Sequence, residues 1–209
     1  MTFSCLFVIS GPSGVGKTSL VNALTDANPD INNPVSYTTR SPRPGEQPGI
    51  DYHFVDVERF REMIADNEFL EHAEVFGNHY GTSRQAVRQQ LDEGKSVLLE
   101  IDWQGAAQAR RLFADAVTIM VLPPSIHNLR QRLQQRRQDN AGAIDQRMQA
   151  ATNELSHYRE FDYLIINDDF DTALRQLQSV VAASYLRRCV QQDSVSEFLP
   201  ELDKAPRDN

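Results

Sequence analysis

The sequence predicts an α/β protein in which helices flank a parallel sheet. Short apolar runs alternate along the chain with segments whose apolar residues recur at helical spacing. The runs are continuously apolar, as strands buried on both faces of a sheet are. Strands that alternate with helices usually pair in parallel, because each helix returns the chain to the edge of the sheet where the next strand starts.

The first apolar run, residues 6–10, ends in a glycine-rich turn, and residues 18–27 then show helical spacing at Leu20, Val21 and Leu24. This order of strand, glycine loop and helix is a typical opening of a parallel α/β sheet. Further strands are predicted at 96–101, 117–122 and 163–167. Further helices are predicted at about 103–113, 125–135, 145–160 and 171–191.

The stretch from about 35 to 82 interrupts the alternation. It begins with a segment rich in proline and glycine and continues with extended runs, the second of which precedes Gly77-Asn78, a hairpin signal. We interpret this stretch as a small mixed β insertion beside the main sheet. Residues 192–209 are polar and without periodicity, which predicts a frayed tail.

Composition excludes several classes of function. The formal charge of −8 argues against general affinity for nucleic acid or anionic membranes. No segment approaches the ~20 apolar residues of a membrane span, and the start lacks the basic region of a signal peptide. Cys5 and Cys189 have neither metal-ligand nor disulfide-framework spacing. We therefore expect a cytoplasmic protein; its oligomeric state is not decided by the sequence.

One motif points to a nucleotide. Gly11-Pro12-Ser13-Gly14-Val15-Gly16-Lys17-Thr18 matches GxxxxGK[ST] in the required strand–loop–helix context. Backbone N–H groups of such a loop surround phosphate oxygens, and the helix start adds the positive end of its dipole. Lys17 supplies charge for the β and γ phosphates, and the Thr18 hydroxyl is a ligand for Mg²⁺. The alternative is a glycine turn capped by Thr18, and the motif alone does not identify a second substrate.

The segment Thr39-Arg40-Ser-Pro-Arg43-Pro-Gly-Glu46-Gln-Pro-Gly49-Ile-Asp51-Tyr52-His-Phe54 resembles the guanylate kinases, and the likeness extends over residues 4–188. It implies a P-loop kinase core (about 4–35, 83–124 and 148–190), a GMP-binding insertion (about 36–82) and a helical lid (about 125–147). The implied reaction transfers the γ-phosphoryl group of ATP to GMP, and also to dGMP, with Mg²⁺, in purine nucleotide metabolism.

The resemblance assigns a clamp for the GMP phosphate to Arg40, Arg43, Tyr52 and Tyr80. Two planar guanidinium groups suit bidentate binding of a phosphate, and each tyrosine can donate its hydroxyl. Without the motif around them, the two arginines would be interpreted as solvated loop charges.

A guanine pocket is assigned in the same way, with Glu71 and Asp102 as carboxylates and with Ser36 and Thr82 as hydroxyl partners. Guanine presents N1–H and N2–H₂ donors on one edge and O6 and N7 acceptors on the other. Adenine would set its N1 acceptor against a carboxylate, and pockets of this kind discriminate by about 10⁴–10⁵. The alternative for Glu71 is a surface charge on a half-buried strand.

Acidic and basic residues complete the predicted site. Glu100 shares a strand face with Asp102 and is a candidate for Mg²⁺ through water, or else for a structural role. By resemblance, Arg136 and Arg147 contact the γ-phosphoryl group and Arg132 lies nearer the ATP phosphates, whereas Arg130 and Arg137 only coat a helix. Asn167 and Asp168 are assigned to the adenine side, with helix capping as the alternative.

The lid departs from the family pattern, because a flanking glycine and an acidic pair are missing around Arg136, which leaves the details of closure open.

Two rival functions are considered. One is a P-loop kinase for another acceptor, which the purine pocket argues against. The other is a protein-binding scaffold, which the intact Lys17, Thr18 and Arg40 argue against.

Overall fold

A computed structural model describes residues 4–135, 141–192 and 195, with residues 141–143 described by their backbone alone. The strands are β1 Leu6–Ser10, β2 Ile31–Asn32, β3 Tyr37–Thr38, β4 His53–Phe54, β5 Phe69–Val75, β6 Asn78–Ser83, β7 Ser96–Glu100, β8 Val117–Leu122 and β9 Tyr163–Ile166. The helices are α1 Lys17–Ala27, α2 Val57–Ala65, α3 Arg84–Asp92, α4 Trp103–Leu112, α5 Ile126–Gln135, α6 Ala141–Ser156 and α7 Phe170–Ser184.

The main sheet has five strands in the order β2-β7-β1-β8-β9, all parallel. Strand β1 lies at its centre, where Phe7 pairs with Leu98 on one side and with Val117 on the other. Every residue of β1 is buried, as expected for a central strand covered on both faces. The predicted fold class, a parallel sheet flanked by helices, is confirmed.

Alternation along β1 divides the core between the two faces of this sheet. Phe7 and Ile9 join a cluster with residues of α1 and α7, whereas Leu6 and Val8 join a second cluster with residues of α3 and α4. Successive strand residues point to opposite faces, so one apolar strand serves both clusters. The carboxyl ends of β1, β7 and β9 therefore open onto the same edge, where the glycine loop, Asp102 and Asn167 follow the strands.

A second sheet, in the order β4-β3-β6-β5, lies within the predicted insertion. It is mixed, because β3 pairs with β4 in parallel and with β6 antiparallel. Strands β5 and β6 form the hairpin indicated by Gly77-Asn78, and both turn residues, Phe76 (φ 51°) and Gly77 (φ 75°), have positive φ. Positive φ at both central residues is typical of a tight hairpin turn.

Several elements differ from the sequence-based expectations. Helices α2 and α3 were not predicted; each begins after a capping side chain, Asp56 for α2 and Ser83 for α3. The helix predicted at 145–160 runs from Ala141 to Ser156 and is followed by a 3₁₀ turn. The helix predicted to reach 191 ends at Ser184, before Tyr185 packs its ring against Phe7 and donates a hydrogen bond to Ser96.

Helix α5 and the first part of α6, up to Arg147, form the described part of the predicted lid, and the rest of α6 belongs to the predicted core. Leu129 and Leu133 of α5 pack against Met148 and Ala151 of α6 in a small apolar cluster. Arg130 pairs with Asp145 at 2.8 Å, and both side chains are largely exposed, in agreement with a surface role for Arg130. The residues between these helices, including Arg136 and Arg137, lie outside the described residues, as does most of the predicted tail.

None of the described helices is long and apolar enough to cross a membrane.

Candidate active site

The phosphate loop joins β1 to α1 and forms one wall of the site. Gly14 (φ 90°) and Gly16 (φ 100°) take left-handed backbone conformations, and a Cβ atom at Gly16 would lie 2.5 Å from the side-chain nitrogen of Asn167. Gly16 is also the N-cap of α1, and no side chain caps this helix. The first backbone N–H groups of α1 are thus left for an anionic ligand.

Lys17 and Thr18 occupy the helix start that the motif assigns to them. The Lys17 ammonium donates hydrogen bonds to the carbonyls of Gly11 and Pro12, so it lies folded over its own loop. The Thr18 hydroxyl does not cap the turn but donates to Glu100 at 2.7 Å. This contact removes the capping interpretation of Thr18.

The Thr18–Glu100 pair meets the requirements of a Mg²⁺ site. Mg²⁺ prefers oxygen ligands and is usually held by one or two protein oxygens together with phosphates and water. A hydroxyl and a carboxylate 2.7 Å apart, beside a phosphate loop, are such a donor set. Among the described residues no group of three or more His, Cys, Asp or Glu side chains forms a fuller metal site.

A cavity of about 390 Å³ adjoins the other side of the loop. The Arg132 guanidinium donates to the carbonyls of Asn167 (2.9 Å) and Val15 (3.4 Å), and the Asn167 amide donates to Val15 at 2.7 Å. Asn167 is buried and thereby supports the loop, whereas Asp168 is exposed in the cavity lining. Helix α7 is capped by its neighbour Asp169, so capping does not account for Asp168.

Three of the four residues assigned to guanine form a chain of hydrogen bonds. The Thr82 hydroxyl donates to Glu71 at 2.6 Å, and the hydroxyls of Ser36 and Thr82 lie 3.2 Å apart. Glu71 is only 4% exposed, which contradicts its interpretation as a surface charge. Register shifts between Phe69 and Glu71, and bulges of this kind redirect side chains beside active sites.

Burial gives Glu71 an unusual acidity. Loss of hydration raises its pKa from 4.5 to about 7, and the nearby negative charge of Asp102 adds to the increase, while the Thr82 hydrogen bond opposes it. Asp102 is the N-cap of α4 and accepts from the Gly105 N–H at 2.8 Å. The structure therefore brings both predicted carboxylates to one place, but gives Asp102 a second role as a helix cap.

The predicted phosphate clamp is partly assembled around Arg40. Its guanidinium lies over the Tyr52 ring, 5.5 Å from the ring centre, and the Tyr52 and Tyr80 rings meet edge to face at 5.9 Å. Glu46 accepts two hydrogen bonds from Arg40, at 2.8 and 3.0 Å, and one from the backbone of Arg43. The Arg43 side chain is exposed.

The clamp and the phosphate loop lie close enough to interact electrostatically. Burial is the main cause of the raised pKa of Tyr52. The nearby Tyr80 and Glu100, the hydrogen-bond partner of Thr18, raise this pKa further. On the lid, the Arg147 guanidinium lies 5.9 Å from the centre of the Phe76 ring at the tip of the β5–β6 hairpin. Arg147 thus stands between the lid and the second sheet, whereas Arg136 lies outside the described residues.

Sequence reasoning missed three supporting residues. Glu46 holds Arg40, and its position six residues later in the same loop was the available signal. Glu154 of α6 accepts from the Ser10 hydroxyl and the Gly11 N–H, both at 3.1 Å, and so ties the lid helix to the phosphate loop. Phe76 contacts Arg147. For Glu154 and Phe76 no spacing in the sequence indicates the contact.

The parallel α/β core carries a phosphate loop and stands beside a second sheet and a helix pair. This architecture is that of a P-loop nucleoside monophosphate kinase. The family model for guanylate kinase matches residues 4–184. The chain is 53% identical to guanylate kinase from Alkalilimnicola ehrlichii, over 94% of this chain and 97% of that one, and 52% identical to guanylate kinase from Coxiella burnetii, over 94% and 96%.

The crystal structure of guanylate kinase from Anaplasma phagocytophilum is similar to the whole fold, with a TM-score of 0.74, 35% identity and coverage of 90% of both chains. The chain belongs to the guanylate kinase family. The sequence resemblance is therefore confirmed.

Proposed function

We propose that ATP binds along the phosphate loop and GMP against the second sheet, so that their phosphates meet between Lys17, Arg40 and the lid. As a member of its family the chain is an ATP:GMP phosphotransferase. The observation that supports this arrangement best is the buried chain Ser36–Thr82–Glu71 beside Asp102, because it matches the donors and acceptors of guanine.

In this proposal the ionised carboxylates of Glu71 and Asp102 accept hydrogen bonds from N1–H and N2–H₂ of guanine. The Thr82 hydroxyl, which donates to Glu71 in this structure, is proposed to turn on binding, so that it and the Ser36 hydroxyl donate to O6 and N7. Arg40 and Arg43 bind the GMP phosphate together with the hydroxyls of Tyr52 and Tyr80. Glu46 holds one terminal nitrogen of the Arg40 guanidinium, and the other terminal nitrogen donates to the Ser41 carbonyl at 2.8 Å, so the phosphate is proposed to bind the remaining N–H groups.

Phosphoryl transfer needs in-line placement and neutralised charge more than a catalytic base, since the acceptor is already an ionised phosphate. Lys17 is proposed to leave the carbonyls of Gly11 and Pro12 and to bind the β and γ phosphates. Arg136 and Arg147 are proposed to bind the transferring group, and Arg132 to lie at the ATP phosphates. Asn167 and Asp168 are proposed to lie on the adenine side, with Asn167 also supporting Val15.

The cofactor proposed for this site is Mg²⁺, held by the Thr18 hydroxyl and, through water, by Glu100. When bound there, Mg²⁺ neutralises charge that develops on the phosphate oxygens. Glu100 orients the Thr18 hydroxyl, and Lys17 supplies the neighbouring positive charge. We further propose dGMP as an acceptor, because none of the assigned residues reads the ribose 2′ position. The expected context is cytoplasmic purine nucleotide metabolism, including GMP recycling.

A coupled assay with ATP and Mg²⁺ across GMP, dGMP, AMP and UMP tests the acceptor assignment. GMP and dGMP should be phosphorylated at comparable rates, and AMP and UMP at rates lower by several orders of magnitude, on the order of 10⁴ in kcat/KM. Comparable kcat/KM values for GMP and AMP would contradict the guanine pocket.

A further inference from the structure

Strand β5 carries Glu71, yet β5 is an edge strand of the second sheet and is irregular where the carboxylate sits. The register shift between Phe69 and Glu71 means that the ladder to β6 is interrupted there. Three consecutive residues, from Phe69 to Glu71, are buried, so this part of β5 does not follow strand alternation. A buried carboxylate on such a strand needs support from outside the sheet.

That support comes from Gln108 of α4. Its side-chain amide donates to the His72 carbonyl at 2.8 Å, and its side-chain oxygen accepts from the His72 N–H at 3.2 Å. An amide side chain has the same donor and acceptor as a peptide group, so Gln108 pairs with the free edge of β5 as one residue of a neighbouring strand would. The bonded residue, His72, directly follows Glu71.

The same helix face carries the second carboxylate of the pocket. Asp102, Gly105 and Gln108 are spaced by three residues and lie along one side of α4. Asp102 caps the helix through the Gly105 N–H, and a Cβ atom at Gly105 would lie only 2.5 Å from Oε2 of Glu71. Gly105 therefore lets the Glu71 carboxylate approach the helix. One turn further along α4, Gln108 holds β5 through the backbone of His72.

We infer that Gln108 is a positioning residue for base selection: it holds β5 on α4 and thereby fixes the distance between Glu71 and Asp102. This inference rests on the proposed assignment of both carboxylates to guanine. Gln108 acts through the backbone of His72 and does not touch the base. Its loss should therefore weaken the reading of the N1–H and N2–H₂ edge and leave the ATP side unchanged.

The test compares Gln108→Met, which keeps the shape of the side chain and removes both hydrogen bonds, with Gln176→Met, a matched change at an exposed residue of α7. The acceptors are GMP and inosine monophosphate, whose base lacks the 2-amino group. For Gln108→Met we expect kcat/KM for GMP to fall roughly tenfold, mainly through KM, and the preference for GMP over inosine monophosphate to fall with it. The KM for ATP should stay within about twofold in both variants.

Glu71→Gln, measured in parallel, separates the two claims. If Glu71→Gln leaves the preference for GMP unchanged over both inosine monophosphate, which keeps N1–H, and AMP, which lacks it, the guanine assignment itself is wrong. If Glu71→Gln lowers the preference but Gln108→Met does not, only the role of Gln108 is overturned. Should Gln108→Met fail to fold, Gln108→Glu, which keeps the acceptor for the His72 N–H, takes its place with the same expectation and the same overturning result.

Discussion

The phosphate loop and the proposed guanine pocket are built in opposite ways. The loop uses consecutive residues, from Gly11 to Thr18, and offers backbone N–H groups and one ammonium to an anion. The proposed pocket uses side chains from four separate segments, and it combines buried Glu71 and Thr82 with half-buried Asp102 and Ser36. On the proposed assignments, one region recognises the phosphate chain that nucleoside triphosphates share, and the other recognises one edge of one base.

The supports of the two regions differ in the same way. The loop is held at the Val15 carbonyl, which accepts hydrogen bonds from the side chains of Asn167 and Arg132. The pocket lies on an edge strand and depends on Gln108 and on space at Gly105. We therefore expect variants of the loop to change the rate with every acceptor, and variants of the pocket to change which acceptor is used.

The largest effect is expected at Lys17. Lys17→Met should lower kcat by on the order of 10³, because the ammonium group that neutralises negative charge on the transferring phosphates is removed. The loss should be similar for GMP and for a poor acceptor such as AMP, and stopped-flow or coupled assays measure it. Lys95→Met, at an exposed lysine paired with Glu93, is the control and should keep normal turnover. Full turnover in Lys17→Met would show that the loop lysine takes no part in the reaction.

A smaller and more selective effect is expected at Glu71. Glu71→Gln should lower the preference for GMP over AMP, expressed as a ratio of kcat/KM values, by roughly 10², because an acceptor is replaced by an amide donor facing N1–H or N2–H₂. The KM for ATP should hardly change. Glu74→Gln, at an exposed residue of the same strand, is the matched control. A uniform loss with both acceptors would show that Glu71 only stabilises the fold.

The same contrast explains what the sequence could predict. The phosphate loop is local: the motif, the preceding strand and the following helix are contiguous, so its geometry follows from glycine conformations and the helix start. The pocket was identified only through a family resemblance. Its central contact, Thr82 with Glu71, depends on the pairing of β5 with β6 across a bulge, and no local spacing in the sequence indicates that pairing.

Contacts made by the lid were beyond sequence reasoning for a further physical reason. Arg147 reaches Phe76 and Glu154 reaches Gly11 because α6 lies across the cleft, and nothing in the helix's own spacing encodes that placement. Helix α2 was missed although signals were present, namely the Asp56 cap followed by apolar Phe60 and Met63. The surrounding proline and glycine residues were given more weight than this capped amphipathic pattern.

The smallest effect concerns pH and the cost of a buried carboxylate. Because the folded-state pKa of Glu71 is about 7, above its ordinary value of 4.5, the folded protein binds the proton more tightly than the unfolded chain. The stability that this proton contributes is fully present below pH 4.5 and is lost as pH rises towards 7. Relative to Glu71→Gln, the free energy of unfolding of the unmodified protein should therefore fall by roughly 2 kcal/mol between pH 5 and pH 8.

Urea unfolding of both proteins at pH 5 and pH 8 measures this difference, and subtracting the variant removes the titration of all other groups. Binding of GMP should depend on pH in the opposite direction from stability, because only the ionised carboxylate accepts hydrogen bonds from guanine. The kcat/KM for GMP should rise with pH up to about 7 and then level off, and Glu71→Gln should retain only the inflection of the GMP phosphate near pH 6. Equal pH profiles for the two proteins would mean that the carboxylate is ionised throughout, and that the pocket is better hydrated than its 4% exposure indicates.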